Sequence, residues 1–208
     1  MPPDHLRAWL AIRDDIPWPA EIEVPQYIPV RDGAEHDIRA FDAARDPERA
    51  RRLLAALARS RADAGRPLTF ELLAGWQRHI LGTVEFRAGP AFAKGGRERY
   101  GPATPAELDA CLAPSALPLA ARAARTYLDI CFFHPFDDGN ARAAFLALVF
   151  VLAADGVALD QIGPVRRLAR RADDPADAIA LAELIALLIT ASARRAISAV
   201  QRNGARLP

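Results

Sequence analysis

Apolar residues recur three and four positions apart along most of the chain, which is the spacing of one face of an α-helix. The clearest case lies between Thr69, a helix-capping residue, and Gly82, a residue that ends helices. Its apolar face comprises Leu72, Leu73, Trp76 and Ile80. Similar patterns predict helices over about 47–64, 105–113, 119–133, 140–154 and 175–202, with a shorter one between 157 and 173. Asp46-Pro47 is a capping residue followed by proline, which marks a helix start.

The first forty or so residues differ, because prolines at positions 17, 19, 25 and 29 interrupt every candidate helix. We expect residues 1–45 to form an irregular N-terminal arm that packs on the body. Residues 46–204 are predicted to form one domain, with a core over 68–155 and a C-terminal helix over 175–202. A length of 208 residues fits this organisation.

Residues 82–104 lack the helical pattern. Residues 83–86 can form a strand, and Phe92 and Tyr100 suit strands on either side of the glycine pair at positions 95 and 96. A β-hairpin or extended flap is predicted here. The predicted fold class is therefore all-α, a helical bundle with one small β-hairpin.

Composition and charge narrow the function classes. Lys and Arg number 27 against 26 Asp and Glu, so we expect no nucleic-acid partner. The longest continuous apolar stretch, 145–154, is too short for a bilayer, so no membrane partner is expected. Cys111 and Cys131 lie in apolar helical contexts and are interpreted as buried thiols. Without a basic start followed by an apolar run, a cytoplasmic location is expected, although a dedicated secretion apparatus would need no such signal.

Candidate chemistry is concentrated between two strong helices, in the stretch His134-Pro135-Phe136-Asp137-Asp138-Gly139-Asn140-Ala141-Arg142. Gly139-Asn140 leads into a helix, and a helix N-terminus presents unpaired N–H groups that attract anions. Arg142 can form paired hydrogen bonds to phosphate oxygens. Asp138 is placed to hold a divalent cation, since Mg²⁺ commonly takes only one or two protein carboxylates. A neutral imidazole at His134 suits a general base.

Each of these residues also has a purely structural interpretation. Asp138 could cap the helix, Asn140 could form a local turn, and His134 could be a satisfied hydrogen-bonding residue. Phe136 is interpreted as structural in either case, because it can point into the core and pin the loop. For any single residue the structural interpretation is favoured, but a simple helix junction has no need of all of them within nine positions.

The stretch resembles the signature of the Fic family, commonly written HPFx(D/E)GNGRxxR. The matching residues are His134, Pro135, Phe136, Asp138, Gly139, Asn140 and Arg142. Fic proteins also carry a flap hairpin upstream, often with an aromatic–arginine pair, and Phe86-Arg87 stands at that place. The resemblance covers about residues 68–155.

The resemblance implies a role for each matching residue. His134 would deprotonate the target hydroxyl, and Asp138 would hold Mg²⁺. A further set would bind the donor's phosphates, through backbone N–H groups and the Asn140 and Arg142 side chains. That set comprises Gly139, Asn140, Ala141 and Arg142. In most characterised members the donor is ATP, and AMP is transferred to Ser, Thr or Tyr of a protein.

The resemblance also implies that the flap aligns a segment of the target by strand-like pairing. The basic and aromatic residues expected to contact the target are Phe86, Arg87, Lys94 and Arg97. A separate antitoxin-like inhibitor is a further partner that the family allows.

Two positions depart from the signature. Ala141 replaces a glycine, which is harmless if that residue is helical and costs about 1 kcal/mol if it needs φ > 0. Phe145 stands where the second arginine belongs, so ATP is not assured as the donor, and core packing is the favoured interpretation of Phe145. The chain also lacks the (S/T)xxxE(G/N) pattern of the family's inhibitory helix, so we expect no inhibition of that kind.

Three alternative functions stay open at this point. The same scaffold could transfer phosphate, UMP or phosphocholine instead of AMP. It could modify a small molecule instead of a protein. A degenerate Fic fold could also serve as a binding module without activity, but the presence of both His134 and Asp138 argues against this.

Overall fold

The computed structural model describes residues 2–23, 25–168 and 170–204. For residues 203 and 204 it describes the backbone alone. The elements in chain order are α1 (His5–Ile12), α2 (Gly33–Asp37), a π-helical turn (Ile38–Asp42), α3 (Pro47–Ala62), α4 (Phe70–Leu81), β1 (Ala91–Ala93), β2 (Glu98–Tyr100), α5 (Pro105–Leu112), α6 (Leu119–Phe133), α7 (Asn140–Ala154), α8 (Gly163–Arg167) and α9 (Pro175–Gly204). The predicted class, mostly helical with one two-stranded antiparallel sheet, is confirmed.

The helix starts follow the capping chemistry of the sequence. Asp46 accepts a hydrogen bond from the Arg49 N–H at the start of α3, with Pro47 in the first turn. Thr104 and Glu107 form a complete capping box at the start of α5. Local signals of this kind need no tertiary contact, which explains why these predicted boundaries fall within a residue or two of the observed ones.

Two predictions about local structure were wrong. The arm is not irregular throughout, because Asp4 and Asp32 cap α1 and α2 through their side chains on either side of the proline-rich segment. Residues 83–86 are not a strand. Next to them, the Arg87 N–H donates to the Pro135 carbonyl and not to a partner strand. The hairpin consists of residues 91–93 and 98–100, which contain Phe92 and Tyr100 on either side of the glycine pair, as predicted.

The core is built around α6 and α7. Helix α7 is buried on nearly every side, and six consecutive residues, Ala143 to Leu148, have no exposed surface. Helices α3, α4 and α6 pack around it, and α9 packs on α6. A helix that is apolar all round must be enclosed in this way. The N-terminus of α7, which carries the motif, is thereby held on a rigid support.

Helix α9 is long and apolar enough to cross a membrane when judged by length and composition alone. The longest continuous apolar stretch in the sequence does not indicate this helix, because charged and polar residues interrupt its apolar residues. Within the helix, 44% of the most apolar window is buried, and residues of one face, including Leu181, Ala182 and Ile185, have no exposed surface. Its hydrophobicity is thus used in part to pack against α6.

Candidate active site

The motif loop between α6 and α7 is braced by Asn140. Its side-chain amide donates to the Phe136 carbonyl at 2.7 Å, and its side-chain oxygen accepts from the Phe136 N–H at 2.9 Å. Both ends of a 4% exposed side chain are therefore occupied within the loop. The predicted phosphate contact of the Asn140 side chain does not fit this geometry. The residue instead offers its backbone N–H at the start of α7.

Gly139 caps α7 with a backbone that side chains rarely adopt, at φ +84°. A Cβ atom here would lie 2.6 Å from Nε2 of Gln77 and 3.0 Å from Arg142. Gln77 is fully buried on α4 and donates to the Gly139 carbonyl at 2.9 Å. Gln77 was not among the predicted site residues, although a polar residue on the buried face of an amphipathic helix is a signal for such a role.

The first turn of α7 presents N–H groups that no side chain caps. They belong to Asn140, Ala141 and Arg142. Ala141 lies within the helix and has no positive φ, so replacement of the signature glycine carries no backbone strain. An uncapped N-terminus on a 15-residue helix carries a partial positive charge directed at the loop surface.

His134 ends α6 in the left-handed conformation, at φ 49° and ψ 54°. Its imidazole is half-buried, stacked on the Tyr100 ring with centroids 4.2 Å apart and planes 12° apart. Nδ1 lies 3.4 Å from the Cys131 carbonyl. Burial lowers the pKa of His134, and the charge of Arg87 lowers it further against the opposing effects of Cys131 and Glu98. The ring is therefore neutral at pH 7, the form that a base requires.

Asp138 and Arg142 form an ion pair of 2.8 Å at the mouth of the loop. The Asp138 side chain is 64% exposed and also accepts from the Gly139 N–H. Partial burial works to raise the pKa of Asp138. This effect is outweighed by the charges of Arg142 and Arg49 and by the Gly139 hydrogen bond, so the pKa lies below its ordinary value. Asp138 is thus ionised and accessible. In the described residues no carboxylate of another helix pairs with Arg142.

Residues 67–152, which include the whole loop, match the sequence model of the Fic/DOC family. This segment is therefore similar to the Fic/DOC family. The fold of the chain is similar to that of a Fic domain-containing signaling protein from Bacteroides thetaiotaomicron, with a TM-score of 0.56 and 20% identity over 81% of this chain and 80% of that one.

The fold is also similar to that of IbpAFic2. The TM-score is 0.51 at 14% identity over 91% of this chain and 70% of that one. For IbpAFic2 covalently tethered to Cdc42 it is 0.53 at 13% identity over 89% and 69%. At these low sequence identities, the structural similarity shows a common fold alone. No curated protein sequence matches significantly.

The predicted flap residues separate into two groups. Phe86 packs edge-on against Phe70, which in turn contacts Phe136 under the loop. Arg87 is 6% exposed and hydrogen-bonded to backbone carbonyls, so the prediction that it contacts a target was wrong. Of the four predicted flap residues, Lys94 and Arg97 lie exposed at the hairpin turn, where a target could reach them.

Phe145, at the place of the signature's second arginine, has no exposed surface. The Arg166 guanidinium lies 4.9 Å from the centroid of its ring and is itself paired with Asp37 and Asp42. Core packing of Phe145 is therefore the observed role. Phe136, predicted to pin the loop, is 1% exposed.

Proposed function

We propose that this chain is a Fic-type transferase that moves AMP, or another phosphate-containing group, from a nucleotide donor to a hydroxyl side chain of a target protein. The observation that carries the proposal is that one short loop has a neutral, half-buried imidazole at its start, where His134 ends α6, and the uncapped N-terminus of α7 at its end. The match of residues 67–152 to the Fic/DOC family supports a transferase of this type.

The proposed step is a displacement at phosphorus. His134 takes the proton of the target hydroxyl as its oxygen bonds to the transferred phosphorus. The bond from that phosphorus to the leaving phosphate breaks, and the leaving group departs with the electron pair; for AMP transfer from ATP it is pyrophosphate. The N–H groups of Asn140, Ala141 and Arg142 offset the negative charge on the phosphate oxygens. A positioned base contributes about 10²–10⁴-fold to such a step.

The residues present fit a magnesium ion bound jointly with the donor. The described residues hold no group of three or more candidate ligands, so a site made of protein alone is not indicated. Mg²⁺ takes one or two protein carboxylates together with water and phosphate oxygens, and the exposed, ionised Asp138 offers one. When bound, the ion would supply charge neutralisation at the phosphates. Arg142 would then be released from Asp138 to contact phosphate as well.

The donor is the least determined part of the proposal. Phe145 is apolar and enclosed, so the terminal phosphate of a triphosphate receives no charge from that position. UMP, phosphocholine and phosphate transfer therefore remain alternatives to AMP transfer.

A protein target is favoured by the exposed hairpin. The N-terminal segment bridges the outer side of β2 at Arg99, whereas β1 has no further strand beside it in the described chain. An unpaired strand can bind an extended peptide through its backbone. The tethering of IbpAFic2 to Cdc42 is a precedent for a protein on this fold.

The test is a transfer assay on Ser-, Thr- and Tyr-containing protein and peptide libraries with Mg²⁺ and a panel of donors. The panel comprises ATP, UTP, GTP and CDP-choline, each isotopically labelled in the group to be transferred. Mass spectrometry would identify a modified hydroxyl and the group it carries, and His134→Gln should slow formation of the product at least ~10²-fold. Donor binding at the α7 N-terminus without transfer to any acceptor by wild-type protein would contradict the proposal and favour a binding module.

A further inference from the structure

Arg87 is the most heavily hydrogen-bonded side chain next to the motif, and the transfer chemistry leaves it unused. Its guanidinium donates to four backbone carbonyls. They belong to Phe133 (3.0 Å), His134 (2.9 Å), Gly101 (2.5 Å) and Gly89. The side chain lies in the base of the flap at 6% exposure, and among the described residues its hydrogen-bond acceptors are all backbone carbonyls. A buried charge with only carbonyl partners is costly, so its retention calls for an explanation.

The carbonyls that accept hydrogen bonds from Arg87 explain why a guanidinium is buried at this place. Phe133 is the last residue of α6 and His134 is its C-cap, where carbonyls have no partner within the helix and carry a partial negative charge. A guanidinium satisfies several of them at once, because its donors form a rigid planar fork. The Arg87 backbone N–H adds a bond to the Pro135 carbonyl at 3.0 Å. One residue thus fixes three successive carbonyls around the left-handed turn at His134.

The same guanidinium also fixes the flap against the imidazole. Gly101 follows Tyr100, whose ring stacks on His134 and whose hydroxyl donates to Glu98 at 2.8 Å. By binding the Gly101 carbonyl, Arg87 holds Tyr100 at one face of the ring. The backbone of His134 and the surface that covers its ring are therefore tied to a single side chain.

We infer that Arg87 is a positioning residue that sets the orientation of His134, acting through backbone carbonyls and through Tyr100. The inference rests on the proposed function for its kinetic consequence. Its structural consequence, the state of the imidazole, can be measured without a substrate.

The charge of Arg87 changes the pKa of His134 in a definite direction. The groups that face the ring are Tyr100 and Glu98 from β2, the Cys131 carbonyl from α6, and Arg87 from the flap base. Of these, Arg87 opposes imidazolium formation, whereas Glu98 and the Cys131 carbonyl favour it. Removing the Arg87 charge should move the pKa of His134 upward.

The test compares Arg87→Met and Arg87→Lys with Arg13→Lys, a matched change at a buried arginine whose hydrogen-bond partners lie outside the motif. Imidazole titrations by NMR would follow His134, one of 4 histidines, with His134→Gln used to assign its signal. Arg87→Met should raise the pKa of His134 and slow transfer on the order of 100-fold, the effect of a displacement of about 1 Å, with donor affinity unchanged. Arg87→Lys should keep the titration nearer wild type but still slow transfer, because a point charge cannot bridge four carbonyls. Arg13→Lys should lower stability alone.

Tyr100→Leu provides a second variant if Arg87→Met does not fold. It should release one face of the ring and alter the His134 titration and the transfer rate together. Folded Arg87 and Tyr100 variants with the wild-type titration and transfer rate would overturn the inference. If wild-type protein transferred nothing, the proposed function would fail, yet a changed His134 titration in Arg87→Met would still support the positioning role.

Discussion

His134 combines a strained backbone with a shielded ring. A non-glycine residue at φ 49° is uncommon, and such strain persists only where surrounding contacts hold it. Here the contacts are the Arg87 bonds to its carbonyl and the stacked Tyr100 ring. The residue is therefore held in place before any ligand binds.

The acid limb of the transfer reaction should report the pKa of His134. Burial lowers this pKa below its ordinary 6.5, so the neutral base persists at pH values where a free histidine is already protonated. We predict that the decline of kcat/KM on acidification has its midpoint below pH 6.5. The same group should make folding stability fall as pH drops from 6.5 through the folded-state pKa, because the unfolded chain binds this proton first. A pH–rate profile and an NMR titration of the imidazole check the first prediction, and urea unfolding at several pH values checks the second. A rate that halves at or above pH 6.5 would contradict the assignment.

Gly139 should tolerate no side chain. Gly139→Ala adds a Cβ 2.6 Å from Nε2 of Gln77 to a backbone at φ +84°. Gly156→Ala is the control, because Gly156 has φ +70° with open space around it. Urea unfolding should show a loss of about 1 kcal/mol at Gly156, the cost of the left-handed backbone. We expect a further ~1–3 kcal/mol at Gly139 from overpacking. Equal losses at the two glycines would contradict the described close approach of Gln77.

At the scale of elements, the loop between α6 and α7 depends on Asn140. Asn140→Ala leaves the Phe136 N–H and carbonyl buried without partners, at ~1–3 kcal/mol each. We predict a loss of about 2–5 kcal/mol in the free energy of unfolding, together with loss of donor binding. Thr104→Ala, which removes an exposed helix cap of α5, should cost only about 1 kcal/mol and leave donor binding intact. A loss at Asn140 no larger than at Thr104 would show that the amide does not brace the loop.

Elements defined by local chemistry could be predicted from the sequence, and those defined by tertiary contacts could not. Caps and apolar faces fixed α3 to α7 and α9, whose signals lie within each segment. Residues 83–86 have strand-forming residues, but the Arg87 backbone bonds to the motif loop instead of a strand. Helix α1 is short, and its burial depends on Trp9 reaching Asp129, 120 positions away. No local pattern indicates such a contact.

The candidate site was predictable only in its exposed chemistry. The motif indicates a base, a carboxylate and a helix N-terminus, because those residue types are adjacent in sequence. It does not distinguish Asn140 as a loop brace from Asn140 as a ligand, since both roles use the same amide. Gln77 and Tyr100 reach the loop from other elements, and nothing near them in sequence points to it.

At the scale of the whole molecule, a buried ion pair attaches the end of α1 to α6. Arg13 forms paired hydrogen bonds with Asp129 at 2.9 and 3.0 Å, and Trp9 donates to the same carboxylate at 2.7 Å. Asp129 is 1% exposed, and burial raises its pKa despite these partners. The arm is therefore integral to the fold around α6.

Breaking this pair from one side should be severe. Arg13→Ala leaves an uncompensated buried carboxylate, and we predict a loss of ~3–5 kcal/mol in the free energy of unfolding. The double variant Arg13→Ala with Asp129→Leu removes the charge as well and should recover part of that loss. Thermal unfolding of the three proteins checks the order. A single variant as stable as wild type would contradict the docking of α1 through this contact.

The central claim is that His134 acts as the base beside an anion site, and a paired rate and binding measurement on His134→Gln tests it most directly. With the donor and acceptor identified from the panel, single-turnover transfer and calorimetric donor binding would be measured on the same preparations. The account predicts a transfer rate at least ~10²-fold below wild type with donor affinity unchanged, because the imidazole removes a proton and does not hold phosphate. Transfer at the wild-type rate by His134→Gln would contradict the claim.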